Sequence, residues 1–233
     1  MGRISHRWRR TFFLLLLIAG AALVVVRSPD IKPYQQQVEP PRTESVVSGA
    51  AIDALKTLEI KGRAAKTGYS RTQFGDGWLT DNGCDTRNSI LRRDLEDTAV
   101  DDQCKVLSGL LQDPYTGRII QFQRGNTTSD DVQIDHVVAL SNAWQTGAQQ
   151  LSKEKRIEFA NDPLELLAVD GLANQQKSDS DAATWLPPNK AFRCQYVARQ
   201  VAVKQKYQLW VTSAEHSSIM TILESCPGQR LPS

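Results

Sequence analysis

Residues 132–144 read VQIDHVVALSNAW. Val132, Ile134, Val137 and Val138 give this run the apolar pattern of a half-buried strand. Asp135 and His136 sit side by side within it. Buried carboxylates and imidazoles persist where they are paired, so the two are either a satisfied structural pair or part of a site. Neighbours on a regular strand point to opposite faces. For both to serve one site, the strand must end or bend at this point.

Working outward, LELLAVD is a second apolar run, with a strand expected over Leu164–Val169. Asp170-Gly171 ends it, and LANQQKSDSDAATW reads as a helix starting there. A polar helical stretch over 141–160 separates the two strands, so residues 132–180 form a strand, strand, helix unit. Upstream, SGAAIDALKTLEIK predicts a helix over 48–61, GRAAKTGYSRTQFGDGW is turn-rich, and a helix is expected around 86–95. Two short strands flank the turn Asp113-Pro114-Tyr115-Thr116-Gly117. Helices over 191–210 and 216–223 complete an α+β, mostly helical domain.

The 233 residues carry 28 Lys and Arg against 26 Asp and Glu. Arg3, Arg7, Arg9, Arg10 and Arg27 precede Ser28, and removing residues 1–30 takes these five bases and Asp30 away. That leaves 23 bases against 25 acids, a net charge of −2. A domain of this charge meets a polyanion through a local patch rather than its overall field. Four arginines followed by an apolar run from Phe12 to Val26 have the order of an export segment over residues 1–27, either a cleaved signal or an uncleaved membrane anchor. Residues 28–47, rich in Pro, Gln and Glu, read as a linker, and 48–233 as the domain. Cys84, Cys104, Cys194 and Cys226 show no zinc-pair spacing. In an oxidising compartment they allow two disulfides in three connectivities, of which the local pairs 84–104 and 194–226 are favoured.

Asp135-His136 on one strand, a second strand, and then Asn174 and Lys177 on a helix resembles the HNH, or ββα-metal, family of nucleases. ANDPLELLAVDGLANQQKSDSDAATWLPPNKAFRCQYVARQ, with GCDTRN and DPYTG upstream, is most similar to the exported bacterial branch of HNH endonucleases, over about residues 60–226. The resemblance implies a ββα-metal core at 132–180 and hydrolysis of phosphodiester bonds in DNA, or RNA as well, by a monomer. In that pattern His136 takes a proton from water, its ring held in one tautomer by a backbone carbonyl. Asp135 and Asn174 ligate one metal ion, and an open oxygen-rich site of this kind suits Mg²⁺ and is compatible with Mn²⁺. Lys177 meets phosphate as a point charge.

One position departs from the pattern. Glu165 stands where the family places the Asn that braces the loop after the catalytic histidine, and it lacks amide donors. Bracing then falls to Glu165 in altered form or to Asn161, or Glu165 lies near the metal as an extra carboxylate. Between Ala182 and Ala214 there are five cations (Lys190, Arg193, Arg199, Lys204 and Lys206) and no acid. This segment is the candidate phosphate track, Arg193 and Arg199 first. Arg87 fits the family without a derivable role, Trp185 is expected to pack on the metal helix, and His216 has no role. No Gly-x-Ser-x-Gly elbow supports a serine hydrolase. The rival classes are a catalytically weak nucleic-acid-binding module and a structural envelope protein retaining the fold.

Overall fold

The computed structural model describes residues 50–125 and 128–232. The expected export segment and linker lie outside the described residues, and among the described residues no helix is long and apolar enough to cross a membrane. In chain order the elements are α1 (Ala50–Thr57), β1 (Thr80–Asp81), β2 (Cys84–Asp85), α2 (Thr86–Asp94), β3 (Leu95–Val100), β4 (Val106–Gln112), β5 (Ile119–Gln123) and β6 (Val132–His136). They continue with α3 (Leu140–Gln145), α4 (Lys153–Asn161), β7 (Leu166–Asp170), α5 (Gly171–Lys177), α6 (Arg193–Lys206) and α7 (Ser213–Glu224).

All strand pairs are antiparallel: β1–β2, β3–β4–β5 and β6–β7. The β6–β7 register runs unbroken from Val132 opposite Asp170 to His136 opposite Leu166. Its two faces enter different cores. Val132, Ile134, Leu166 and Ala168 pack with Ile90, Leu91, Leu111 and Phe122 of the α2–β3–β4–β5 layer. Leu167 and Val169 pack into the larger cluster built by α1, α4, α6 and α7. Burial on both sides explains why LLAV is continuously apolar rather than alternating.

The sequence segments mostly find their elements, with local differences. The stretch expected as one helix over 141–160 is broken into α3 and α4, because Gly147 takes φ +129° and Ser152 caps a new helix by accepting from the Lys155 amide. The helix expected through 185 stops at Lys177, where Ser178 turns to φ +51°. β3, which the sequence reading missed, follows α2 directly. α7 begins earlier than expected because Thr212 and Glu215 form a reciprocal capping box. Gly171 opens α5 with its amide on the Asp131 carbonyl, so close that a Cβ would overlap the Asp130 carbonyl oxygen. That contact sets the start of α5 tightly against the entry to β6.

Cys84 pairs with Cys104 and Cys194 with Cys226, with Cα separations of 5.3 and 6.2 Å. Both are the local pairs favoured from sequence. The first ties β2 to the β3–β4 turn, and the second ties the start of α6 to the residues after α7.

Candidate active site

Strand β6 is not bent at Asp135-His136. The two side chains leave opposite faces, and the strand simply ends at His136. His136 is 6% exposed, and its Nε2 lies 3.0 Å from the Ala160 carbonyl oxygen of α4. A carbonyl only accepts, so Nε2 carries the proton and Nδ1 keeps its lone pair. The Trp78 ring stacks on the imidazole, with centroids 5.7 Å apart and planes 9° apart. Burial pushes the His136 pKa down to about 3, with the Arg71 and Lys177 charges acting the same way and the Ala160 bond opposing. The ring is therefore neutral at ordinary pH.

Asp135 turns into the larger core. Its Oδ1 lies 2.9 Å from Lys177 Nζ, and its Oδ2 accepts the Tyr115 hydroxyl. Burial raises its pKa, against the Lys177 charge and the Tyr115 and Lys177 hydrogen bonds. Tyr115 is held in place by the turn that contains it. The Asp113 carboxylate accepts from the amides of Tyr115, Thr116 and Asp170, which pins the turn to the β7–α5 junction. The turn read from DPYTG thus delivers a buried hydroxyl, a part that turn propensity alone does not announce.

Lys177, expected at phosphate, instead faces Asp135 and the His136 backbone. It is fully buried, with Nζ donating to Asp135 and, at 2.8 Å, to the His136 carbonyl. Asn174, three residues earlier on α5, is half-buried on the cavity side. Its Nδ2 donates to Gln133 Oε1 at 2.9 Å, while its Oδ1 has no hydrogen bond among the described residues.

Glu165 is a brace and lies away from the cavity. It is fully buried, and both carboxyl oxygens lie 3.2 Å from the Val138 amide. Its own carbonyl accepts from Val137. Burial holds its pKa well above the usual carboxyl range, opposed by the Val138 bond and Lys177 and reinforced by Asp135 and Asp162. The donor that Glu165 lacks comes from Gln200 of α6, whose Nε2 reaches the Val137 carbonyl at 2.8 Å. The loop after His136 is therefore held by two side chains, one accepting and one donating. Asn161 does different work: its Oδ1 accepts from Leu79 and Thr86, fixing the segment that carries Trp78.

Four of the five cations of the expected phosphate track have partners, and Lys190 is exposed, its side chain with no hydrogen-bond or ion-pair partner among the described residues. Arg193 Nε binds the Pro187 carbonyl, and Arg199 binds the carbonyls of Pro163 and Leu164 beside a different cavity. Lys204 is buried against Glu215, and Lys206 pairs with Asp162 at 2.6 Å. A charge count along the chain could not separate buried or paired cations from available ones. Trp185 packs edge-on to Tyr115 and Tyr196.

His136, Asp135 and Asn174 all border one solvent-open cavity of about 530 Å³. Its other wall is formed by residues from the turn-rich stretch, with Lys66, Tyr69, Arg71 and Trp78 facing Gln133, Ser178 and Asp179. Arg87 lies at the rim and donates to the Ser129 and Val132 carbonyls, fixing the start of β6. The sequence reading missed Trp78, Arg71, Gln200 and the partner role of Tyr115. Only the run of cations from Lys61 to Arg71 hinted at that wall.

Comparison with known proteins bears on this site. Residues 85–222, which include β6, β7 and α5, match the family model described as GmrSD restriction endonucleases, C-terminal domain. The chain is also 36% identical over 209 residues to an uncharacterized secreted protein of the fungus Arthroderma benhamiae, covering 88% of this chain and 96% of that one. That relative is fungal, so the resemblance is not confined to the bacterial branch anticipated from sequence. No solved structure matches. The match over more than half of the chain makes it a member of the GmrSD restriction endonuclease C-terminal domain family, a nuclease-type family.

Proposed function

We propose that this protein is an exported, metal-dependent endonuclease that hydrolyses phosphodiester bonds in DNA or RNA, with β6, β7 and α5 serving as a ββα-metal core. One observation carries the reading. A neutral His136, locked through Nε2 to the Ala160 carbonyl, shares an open cavity with the unbonded amide oxygen of Asn174 and the edge of Asp135. Export is supported by two disulfides, by the N-terminal charge and hydropathy pattern, and by the relative named as secreted.

The donor set fits a hard divalent cation in kind. Asn174 Oδ1 is uncommitted, and the Asp135 carboxylate has about four lone-pair sites, of which Tyr115 and Lys177 use two. Among the described residues no cluster of three or more His, Cys, Asp or Glu side chains gathers. So few protein ligands suit Mg²⁺ or Mn²⁺ completed by water and phosphate oxygens rather than a closed cage. When bound, the ion would supply neutralisation of the phosphate and of the charge on the leaving 3′ oxygen.

The chain's own residues handle the proton. Nδ1 of His136 accepts it from the water attacking phosphorus, while the Nε2–H bond to Ala160 stabilises the imidazolium that forms. Bound phosphate raises the imidazole's basicity by placing negative charge beside it. Lys177, Gln200 and Glu165 hold the backbone from His136 to Val138, and Trp78 stacks on the ring.

A second reading, a nucleic-acid-binding module that retains the fold, draws on the Lys177 ammonium that already neutralises Asp135. Plasmid digestion by the purified protein with Mg²⁺, Mn²⁺ or EDTA, beside His136→Ala, separates the two. Cleavage abolished by EDTA and by His136→Ala is expected. Equal cleavage in either condition refutes the mechanism, and retention in a gel shift without cleavage selects the binding module.

A further inference from the structure

The cavity beside His136 has a wall that the family-matched residues do not build. The match begins at residue 85, whereas Lys66, Tyr69, Arg71 and Trp78 belong to the preceding strap over 62–80. Resting on the nuclease reading, we infer that this strap is the element that grips the nucleic-acid backbone, with Arg71 as its principal phosphate contact and Lys66 as the second.

Three observations support this. First, the strap is firmly seated. Trp144 and Trp210 donate to the Thr67 and Gly62 carbonyls, the Ala64 amide bonds the Gln145 carbonyl, and Arg156 grips Gln73. Phe74 is buried against Trp144 and Phe159. A wall held this way keeps its cations positioned before substrate arrives.

Second, the strap is cationic in a domain whose net charge is slightly negative. Over 62–80 it has three bases, Arg63, Lys66 and Arg71, against one acid, Asp76, in a chain whose net charge beyond residue 30 is −2. Third, its cations differ in availability. Arg63 is paired with Asp181. Lys66 is exposed and shares Asp179 at 3.1 Å. Arg71 is exposed, borders the His136 cavity, and has no hydrogen-bond or ion-pair partner among the described residues. A guanidinium in that state beside the reacting group suits bidentate capture of phosphate. Of the cations named from sequence, Lys177 is engaged by Asp135 and Arg193 and Arg199 by carbonyls, while Lys190 is exposed but does not border this cavity.

The test compares wild type, Arg71→Ala, Lys66→Ala and a control, Lys105→Ala, on a labelled single-stranded oligonucleotide at several salt concentrations. Lys105 is exposed and does not border the cavity. Arg71→Ala is expected to raise KM on the order of tenfold and to flatten the log–log salt dependence of kcat/KM by about 0.7. Lys66→Ala moves both in the same direction by less, and Lys105→Ala moves neither. If the wild type cleaves and the Arg71 and Lys105 variants behave alike, or if Arg71→Ala lowers kcat alone, this inference falls and the nuclease reading stands. If the wild type cleaves nothing, anisotropy with the same strand decides. Arg71-dependent binding upholds the strap and removes the nuclease reading, and binding that is absent or independent of Arg71 removes both.

Discussion

Replacing Lys177 with Met removes an ammonium that is fully buried between the Asp135 carboxylate at 2.9 Å and the His136 carbonyl at 2.8 Å. Methionine fills much the same volume, so the main loss is electrostatic. Asp135, 5% exposed, keeps only the Tyr115 hydroxyl and becomes a buried anion without a counter-charge. Breaking a buried pair by removing one partner costs about 3–5 kcal/mol. A domain of this size is stable by about 5–15 kcal/mol, so the variant should fold but unfold at clearly lower urea. Urea titration followed by tryptophan fluorescence measures this. Adding Asp135→Asn to Lys177→Met removes the stranded charge, and the double variant should be more stable than Lys177→Met alone. The coupling between the two changes should be about 1–3 kcal/mol, as for directly contacting residues. A solvated lysine serving phosphate would behave differently: Lys177→Met would change stability by less than about 0.5 kcal/mol. That result, or simple additivity in the double variant, would refute the buried-pair account.

Three further outcomes follow from the same contacts. Because burial keeps the Glu165 carboxyl well above the usual range, Glu165→Gln retains an acceptor for Val138 and should cost under about 1 kcal/mol at neutral pH, whereas Glu165→Leu orphans that amide at about 1–3 kcal/mol; paired urea curves show the difference. Asp181 is lowered in pKa because its bonds to Arg63 and Thr184, together with the Arg63 charge and the Ala183 amide bond, outweigh its burial. It therefore contributes stability above the unfolded carboxylate pKa that is lost as pH falls through the lower folded value, so the stability gap between wild type and Asp181→Asn should close in acid melts. Reducing the disulfides, which close loops of 20 and 32 residues, should cost roughly 3 kcal/mol each by chain entropy, read from thermal unfolding with and without dithiothreitol.

Much of the site's order was legible along the chain. Asp135-His136, a second apolar strand and Asn174 form a local unit whose parts are joined by antiparallel pairing, and strand and helix periodicity follow from short-range sterics and apolar spacing. The disulfide pairing was equally local. The brace at Glu165 was visible as a departure, but its remedy was not, because Gln200 lies on a helix 35 residues later and reaches Val137 only after α6 docks.

What the linear sequence could not determine was the state of each charge. Lys177 and Asn174 lie on the same short helix, yet one is sealed against Asp135, 42 residues away, while the other borders solvent. Arg199 and Lys204 read as a basic track, but packing turned them toward carbonyls and a buried Glu215. Whether a cation is available to a polyanion depends on burial and partners, and both are products of tertiary packing. VQIDHVVALSNAW by itself determined that a carboxylate and an imidazole stand at the end of a strand. Only the folded chain sent Asp135 inward to Lys177 and set His136 between Trp78 and Ala160, because neighbouring side chains on a straight strand must enter different environments.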